Sequence, residues 1–395
     1  MNLAKHRAIT LTACLTMLAR VACWQTGTLA AGSGGTKPRP TTPGRPESKV
    51  AASWEQKAAA SYLDRRQEWW MQWPRSQRDH DTFCVSCHTA VPYALSRAAL
   101  RKALAEQTPS AGEQRLLENV TKRVRLWNEV APFYSDADRG AYKTVESRGT
   151  ESVLNALILA SHDAQSGQLS DDTRKAFDNM WQEQQTSGNK KGAWLWLRFN
   201  NEPWEADDSD YYGATLAAVA TGIAPGDYRV TPQIQNNVTM LREYLSRESA
   251  AQKPINRVAL LWAAAKMPGL IEPDRKKAII AELLEKQQAD GGWSLSSLSG
   301  EWKRSDGTPQ EAKSDGYATG LISFALQQAG VSPENAQLKR GLAWLIANQD
   351  KAAGSWLAYS LNKNKEHHLS PETALFMNDA ATAYAVLALT SANRP

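Results

Sequence analysis

Two kinds of helix-length segment alternate along most of this chain, and that alternation restricts its fold more than any other feature. One kind is charged at its start and amphipathic: residues 115–130, 171–185, 232–247, 273–288 and 333–349. The other kind is small and apolar nearly all round: residues 151–160, 210–223, 254–266, 315–329 and 379–391. An amphipathic helix sits on the outside of a core, whereas a helix apolar on every side has to be enclosed. Five alternations of the two kinds therefore predict two concentric rings of helices. A sixth pair is available upstream. Residues 53–73 are Ala-rich, carry Trp54, Tyr62, Trp69, Trp70 and Trp73, and end at Pro74, and Pro92 then opens a helix through Ala105. Strand alternation and Asn-Gly hairpin signals hardly occur. The expected fold class is all-α: an α/α toroid of five to six helical hairpins.

A signature recurs where the outer helices end. Gln184-Gln185 precedes Gly192-Ala193-Trp194, Gln287-Gln288 precedes Gly291-Gly292-Trp293, and Asn348-Gln349 precedes Gly354-Ser355-Trp356. The amide ends the helix, the glycine supplies the left-handed or tight-turn geometry, and the tryptophan packs back on the neighbouring helix. The outer helix ending near Arg247 lacks the pattern. The three recurrences resemble the QW repeat of the squalene-hopene cyclase and prenyltransferase superfamily, over roughly residues 171–395 and, by helix alternation alone, from about residue 113. The resemblance implies the toroid. Together with Cys87-His88-Thr89-Ala90-Val91-Pro92-Tyr93-Ala94 ahead of the repeats, the chain is more closely similar to a bacterial group of such proteins that carry an N-terminal c-type haem motif. That likeness names an architecture and no reaction.

Cys84-Val85-Ser86-Cys87-His88 has the C-x-x-C-H spacing at which two thiols add to the vinyl groups of a haem and the next histidine ligates its iron. One covalent haem c is the expected cofactor, anchored by Cys84 and Cys87 with His88 as the metal ligand. A C-x-x-C pair in an oxidising compartment could instead close as a disulfide, or hold zinc with His80 or His88. Zinc favours well-spaced ligands, and Cys87 and His88 are adjacent; a thioredoxin-like pair needs a βαβ context that residues 83–93 lack. No methionine follows the motif until Met180, so an ordinary cytochrome c domain is not expected. The sixth iron position is left open among Met71, His80, His162, His367, His368, Met377 or no protein ligand. A vacant position would favour small-molecule chemistry over pure electron transfer.

The N-terminus reads as an export signal. Lys5, His6 and Arg7 precede a mostly apolar run from Ala8 to Trp24, and Thr28-Leu29-Ala30-Ala31 offers a small-residue cleavage site. Cleavage removes Cys14 and Cys23, leaving the motif pair as the only cysteines. Leu11-Thr12-Ala13-Cys14 resembles a lipoprotein box, but the apolar run before it is short, so lipidation ranks second. Residues 32–50, rich in Gly, Pro, Ser and Thr, read as a linker. The expected organisation is 1–31 signal peptide, 32–50 linker, 51–112 haem-attachment segment and 113–395 toroid, in a periplasmic or secreted protein. A net charge of +5, with basic and acidic residues interleaved, argues against a nucleic-acid partner. Apolar stretches such as 152–160 and 257–265 are shorter than the ~20 residues that span a bilayer.

The superfamily resemblance raises a cyclase question. Class II terpene cyclases protonate an alkene with the central acid of a D-x-D-D motif at the start of an inner helix. Here Glu151, Asp210, Asp315 and Asp379 stand near inner-helix starts, and Asp207-Asp208-Ser209-Asp210 comes nearest to the motif with its order changed. The candidate acids are Asp208, Asp210 and Asp315, with Trp194, Trp196, Trp204, Tyr211 and Tyr212 as candidate pocket walls. Helix capping and dipole stabilisation account for such acids without catalysis. Protein prenyltransferases and thioester proteins need a cysteine beyond Cys87, and the chain has none. The expected function is that of an exported c-type haem protein in electron transfer or haem-based small-molecule chemistry, with a redox partner protein. The alternatives are an isoprenoid cyclase or mutase, or a non-catalytic protein binding a hydrophobic or isoprenoid small molecule. Whether the toroid is catalytic stays open.

Overall fold

A computed structural model describes residues 53–363 and 370–392. The signal peptide, its lipoprotein alternative and the linker lie outside the described residues, as do His367 and His368.

Among the described residues the regular structure is helical apart from one two-stranded hairpin, β1 (Gln77–Arg78) paired antiparallel with β2 (Thr82–Phe83), and two isolated bridges. The helices are α1 (Gln56–Gln72), α2 (Ala90–Ala103), α3 (Ala111–Arg125), α4 (Asp136–Arg139), α5 (Lys143–Ser166), α6 (Asp171–Gln182), α7 (Ser209–Ile223), α8 (Gln235–Glu248), α9 (Pro254–Lys266), α10 (Pro273–Glu285), α11 (Gly316–Gln328), α12 (Ala336–Ala347) and α13 (Phe376–Ala392). None is long and apolar enough to cross a membrane.

The packing follows the two helix classes. Helix α2 packs on α5, α5 on α7, α7 on α9, α9 on α11, α11 on α13, and α13 returns to α2, so six inner helices close a ring. The others lie outside it: α1 against α2 and α13, α3 and α6 against α5, α8 against α7, α10 against α9, and α12 against α11. Helices α1 and α2 thus complete the ring as its sixth pair. Small residues let the inner helices approach closely. A Cβ on Gly320 of α11 would stand 2.6 Å from the backbone nitrogen of Ala385 in α13.

Local chemistry explains several helix starts. Ser110 and Glu113 form a reciprocal capping box on α3, Ser170 caps α6, Asn335 caps α12, and Pro254 and Pro273 open α9 and α10. Helix α5 departs from expectation, beginning at Lys143 rather than near residue 151. Its extra two turns are polar yet ordered, because they hold both the chain after α6 and the chain just before α4. Leu197 N–H donates to Thr150 Oγ1 and Tyr134 N–H to Ser147 Oγ. Apolar periodicity underestimates a helix whose end is secured by polar contacts.

The glutamine–glycine–tryptophan signature works as a clamp between neighbouring hairpins. Trp194, Trp293 and Trp356 each donate Nε1–H at 2.7 Å to the last turn of the preceding outer helix, at Met180, Leu283 and Leu345. Gln184 Nε2 bridges the carbonyls of Gly192 and Asn237, and Gln287 Nε2 those of Gly291 and Gln337. Gln349 does the corresponding work on α1, accepting from Glu55 N–H at 2.7 Å and donating back to its carbonyl. The last clamp therefore grips the first outer helix and closes the ring.

Candidate functional site

The C-x-x-C-H segment lies between β2 and α2, at the end of the ring where α2, α7, α11 and α13 begin. Several elements hold it. Asn119 of α3 pins Phe83 through both its N–H and its carbonyl, Cys84 N–H donates to the Ser76 carbonyl, and Trp70 Nε1–H donates to the Cys84 carbonyl at 2.6 Å. Ser86 Oγ accepts from the N–H groups of Thr89 and Ala90, so the residue between the two cysteines fastens the start of α2. Both cysteines are free thiols, each 6% exposed.

His88 is surrounded by aromatic rings. It stacks on Phe376 at 3.8 Å, meets Trp70 edge-on at 5.0 Å and tilts against Trp204 at 5.8 Å. From Trp204 the rings continue to Tyr317 of α11 at 5.7 Å and on to Tyr384 of α13 at 5.5 Å. His88 and Glu205 are deep in the protein yet keep part of their surface accessible, so each borders open space.

A buried polar network fixes the imidazole. Thr89 Oγ1 donates its one proton to Asp379 Oδ2 at 2.7 Å and lies 2.9 Å from His88 Nδ1. With that proton committed, Thr89 accepts from Nδ1–H, and the lone pair of His88 is on Nε2. Asp379 is held in turn by Arg66, through Nε at 2.6 Å and Nη2 at 2.9 Å, and by Tyr62 at 2.9 Å. Burial raises the Asp379 carboxyl above its ordinary value, against the pull of Arg66, Thr89 and Tyr62.

The two thiols and the imidazole are neutral near neutral pH, and Glu205 is poised to titrate there. Burial pushes Cys84 up to about 12 and Cys87 well above its ordinary value. Burial, helped by the Arg66 charge, pulls His88 down to about 3. Burial lifts Glu205 to about 7, with Asn201 and the Lys143 charge opposing. Two protonated thiols and a neutral imidazole with its lone pair on Nε2, beside open space, are the donor set that a covalently attached haem uses, and these residues fit it. Zinc has less support: among the described residues no three His, Cys, Asp or Glu side chains are grouped to hold a metal ion.

The candidate sixth ligands are scattered. Met71 and Met377 are buried, and each follows a ring, Trp70 or Phe376, that touches His88. His80 occupies the β1–β2 turn against Asp79, and His162 lines a small cavity with Tyr93 and Ile158.

The acids of the inner helices have structural employment. Asp315 caps α11, accepting from Tyr317 and Ala318 N–H at 2.9 Å and from Leu295 N–H at 2.6 Å; burial still lifts its carboxyl to about 7. Asp210 stands in the first turn of α7, accepts from Trp196 N–H at 3.0 Å and pairs with Lys190 and Arg198. In the third repeat the same job, holding the N–H two residues after the clamp tryptophan, falls to Asn378, which accepts from Ala358 N–H. Asp208 is at the N-cap position of α7 without a capping hydrogen bond, near Lys253 at 3.3 Å and Asn256 at 3.2 Å. Of the four inner-helix acids expected to cap or to stabilise the helix dipole, only Asp315 caps; Asp210 and Asp379 stand in first turns, and Glu151 does neither. Glu151 is inside α5, paired with Arg123 where both are fully buried, and Asp379 is in the first turn of α13 within the His88 network.

Sequence reading singled out Cys84, Cys87, His88 and Trp204, and the structure brings them together. It missed Phe376, Glu205 and the roles of Tyr62, Arg66 and Asp379. One signal was available: an arginine amid the tryptophans of residues 53–73 implies a buried acid to pair with it.

No protein-family model matches the chain, and no curated protein does. Among solved structures, a glycosidase single-substitution variant is similar at 14% identity and a TM-score of 0.49, covering 85% of this chain and 97% of that one.

Proposed function

We propose that this protein is an exported c-type haem protein whose body is an α/α toroid of the squalene-cyclase type, working in electron transfer or haem-based small-molecule chemistry. The observation that carries the reading is the hydrogen-bond chain from His88 Nδ1 through Thr89 to Asp379, which leaves the Nε2 lone pair available in a segment that also carries two buried free thiols. Cys84 and Cys87 would hold the haem covalently and His88 would ligate its iron. A haem held there supplies one-electron chemistry at its iron. The chain's own contribution is orientation: Thr89 sets the imidazole's proton, Phe376 stacks on its ring, and Trp70 and Trp204 pack against it edge-on and tilted. A histidine whose second nitrogen is engaged by a hydroxyl on a carboxylate is a more basic ligand. The toroid part of the reading is supported by the closed ring and its three clamps. The isoprenoid-cyclase alternative rests on Asp208, Asp210 and Asp315; the use of Asn378 at the place equivalent to Asp210 and Asp315 indicates that holding the loop needs no charge.

The test is expression in a host that matures haem c. The protein should keep its haem through acid-acetone extraction and stain for peroxidase on a denaturing gel, and a Cys84→Ser/Cys87→Ser variant should not. Complete loss of haem from the wild type on extraction refutes the reading.

A further inference from the structure

At the opposite end of the ring, where the six inner helices terminate, a cavity of about 1110 Å³ opens to the surface. It exists because the side chains there are small, Ala98 and Ala99 of α2 and Ala164 of α5, whereas the other end is filled by Tyr317 and Tyr384. Its floor is apolar and buried: Trp262, Phe324 and Leu387. Its charged lining is mainly cationic, Arg101, Lys102 and Lys266 against the single acid Glu106. The volume lies just above the ~300–1,000 Å³ usual for small-molecule sites.

We propose that this cavity binds a single-chain amphiphile with an anionic head, of the long-chain fatty acid class. The apolar floor takes the chain. Six helix C-termini carry partial negative charge and oppose an anion deep inside, so the head belongs at the mouth. There Arg101 is already engaged by Glu113 and Gln165, and Lys102 is an exposed cation of the lining that the head can recruit. The site does not depend on the haem reading, since it shares no residue with the cluster around His88.

The test measures displacement of cis-parinaric acid from the purified full chain, with oleate and oleyl alcohol as competitors. Oleate should displace it at one site per chain, and should outcompete oleyl alcohol. Lys102→Glu should weaken oleate by more than about tenfold and leave oleyl alcohol unchanged. Ala98→Trp should fill the cavity and abolish both. In case that variant does not fold, a diazirine-bearing fatty acid on the wild type should label peptides from the ends of α2, α5, α7, α9, α11 or α13. Absence of displacement, equal binding of the two competitors with no effect of Lys102→Glu, or labelling confined to other peptides would overturn the proposal.

Discussion

Thr89 has one hydroxyl proton, and its destination sets the state of His88. Because it goes to Asp379, the imidazole carries its own proton on Nδ1. Thr89→Val removes the acceptor and one of the donors to a buried carboxylate, so we expect a stability loss of about 1–3 kcal/mol and a shift of His88 toward the other tautomer. Nitrogen NMR of the imidazole reads that shift directly, and an unchanged spectrum would show that Thr89 does not set the proton. Glu205 offers a second residue-scale test. Its folded value of about 7 lies above the ordinary 4.5, so folding favours the protonated acid. That stability is complete below about pH 4.5 and is lost as pH rises to about 7, with a slope of at most about 1.4 kcal/mol per unit. Glu205→Gln stays neutral throughout. Its stability relative to the wild type should therefore climb between those limits and then level off; a difference constant across pH 4–8, followed by denaturant titration, would refute the shift.

At the scale of elements, the clamp depends on the glycine as much as on the glutamine and tryptophan. Gly192 has φ +97°, and a Cβ there would stand 2.0 Å from the Met240 carbonyl oxygen of α8. Gly188, a few residues earlier, has φ +71° and open space around the same position. Gly188→Ala should then cost only the backbone term, about 1–2 kcal/mol. Gly192→Ala adds a clash that must push α8 away, and we expect more than about 4 kcal/mol. Equal costs in urea unfolding would mean that close helix approach is not what the glycine provides. The helix ends teach a related lesson. Apolar periodicity located α9 to the residue, because Pro254 and the end of the apolar run coincide with its limits. It placed the start of α5 eight residues late, because residues 143–150 are secured by hydrogen bonds that hydropathy does not register.

At the scale of the molecule, closure distinguishes this ring from an open array of hairpins. Open repeat arrays gain stability by nearest-neighbour contacts and lose cooperativity as they lengthen. Here α13 packs on α2 and Gln349 grips Glu55, joining last repeat to first. A chain lacking residues 53–73 should expose the α1-facing side of α13 and α2 and melt in a broad transition at a lower temperature, by circular dichroism. A truncated chain that melts as sharply and as high as the full one would refute a stabilising closure. Most of the architecture was legible in residue order: the two helix classes, the three clamps and the thiol pair with its histidine are all local patterns, and a period of 3.6 residues reports which side of a helix must be enclosed. Periodicity carries no information about partners across the ring. The acid that fixes His88 is 290 residues from Thr89 and 317 from Tyr62, so its role appeared only when closure brought α13 against α1 and α2. The same holds for Phe376 on His88 and for the cavity at the far end. Both exist because helices distant in sequence converge on one axis, and what fills or leaves open the space between them is decided by the sizes of side chains that no local pattern pairs.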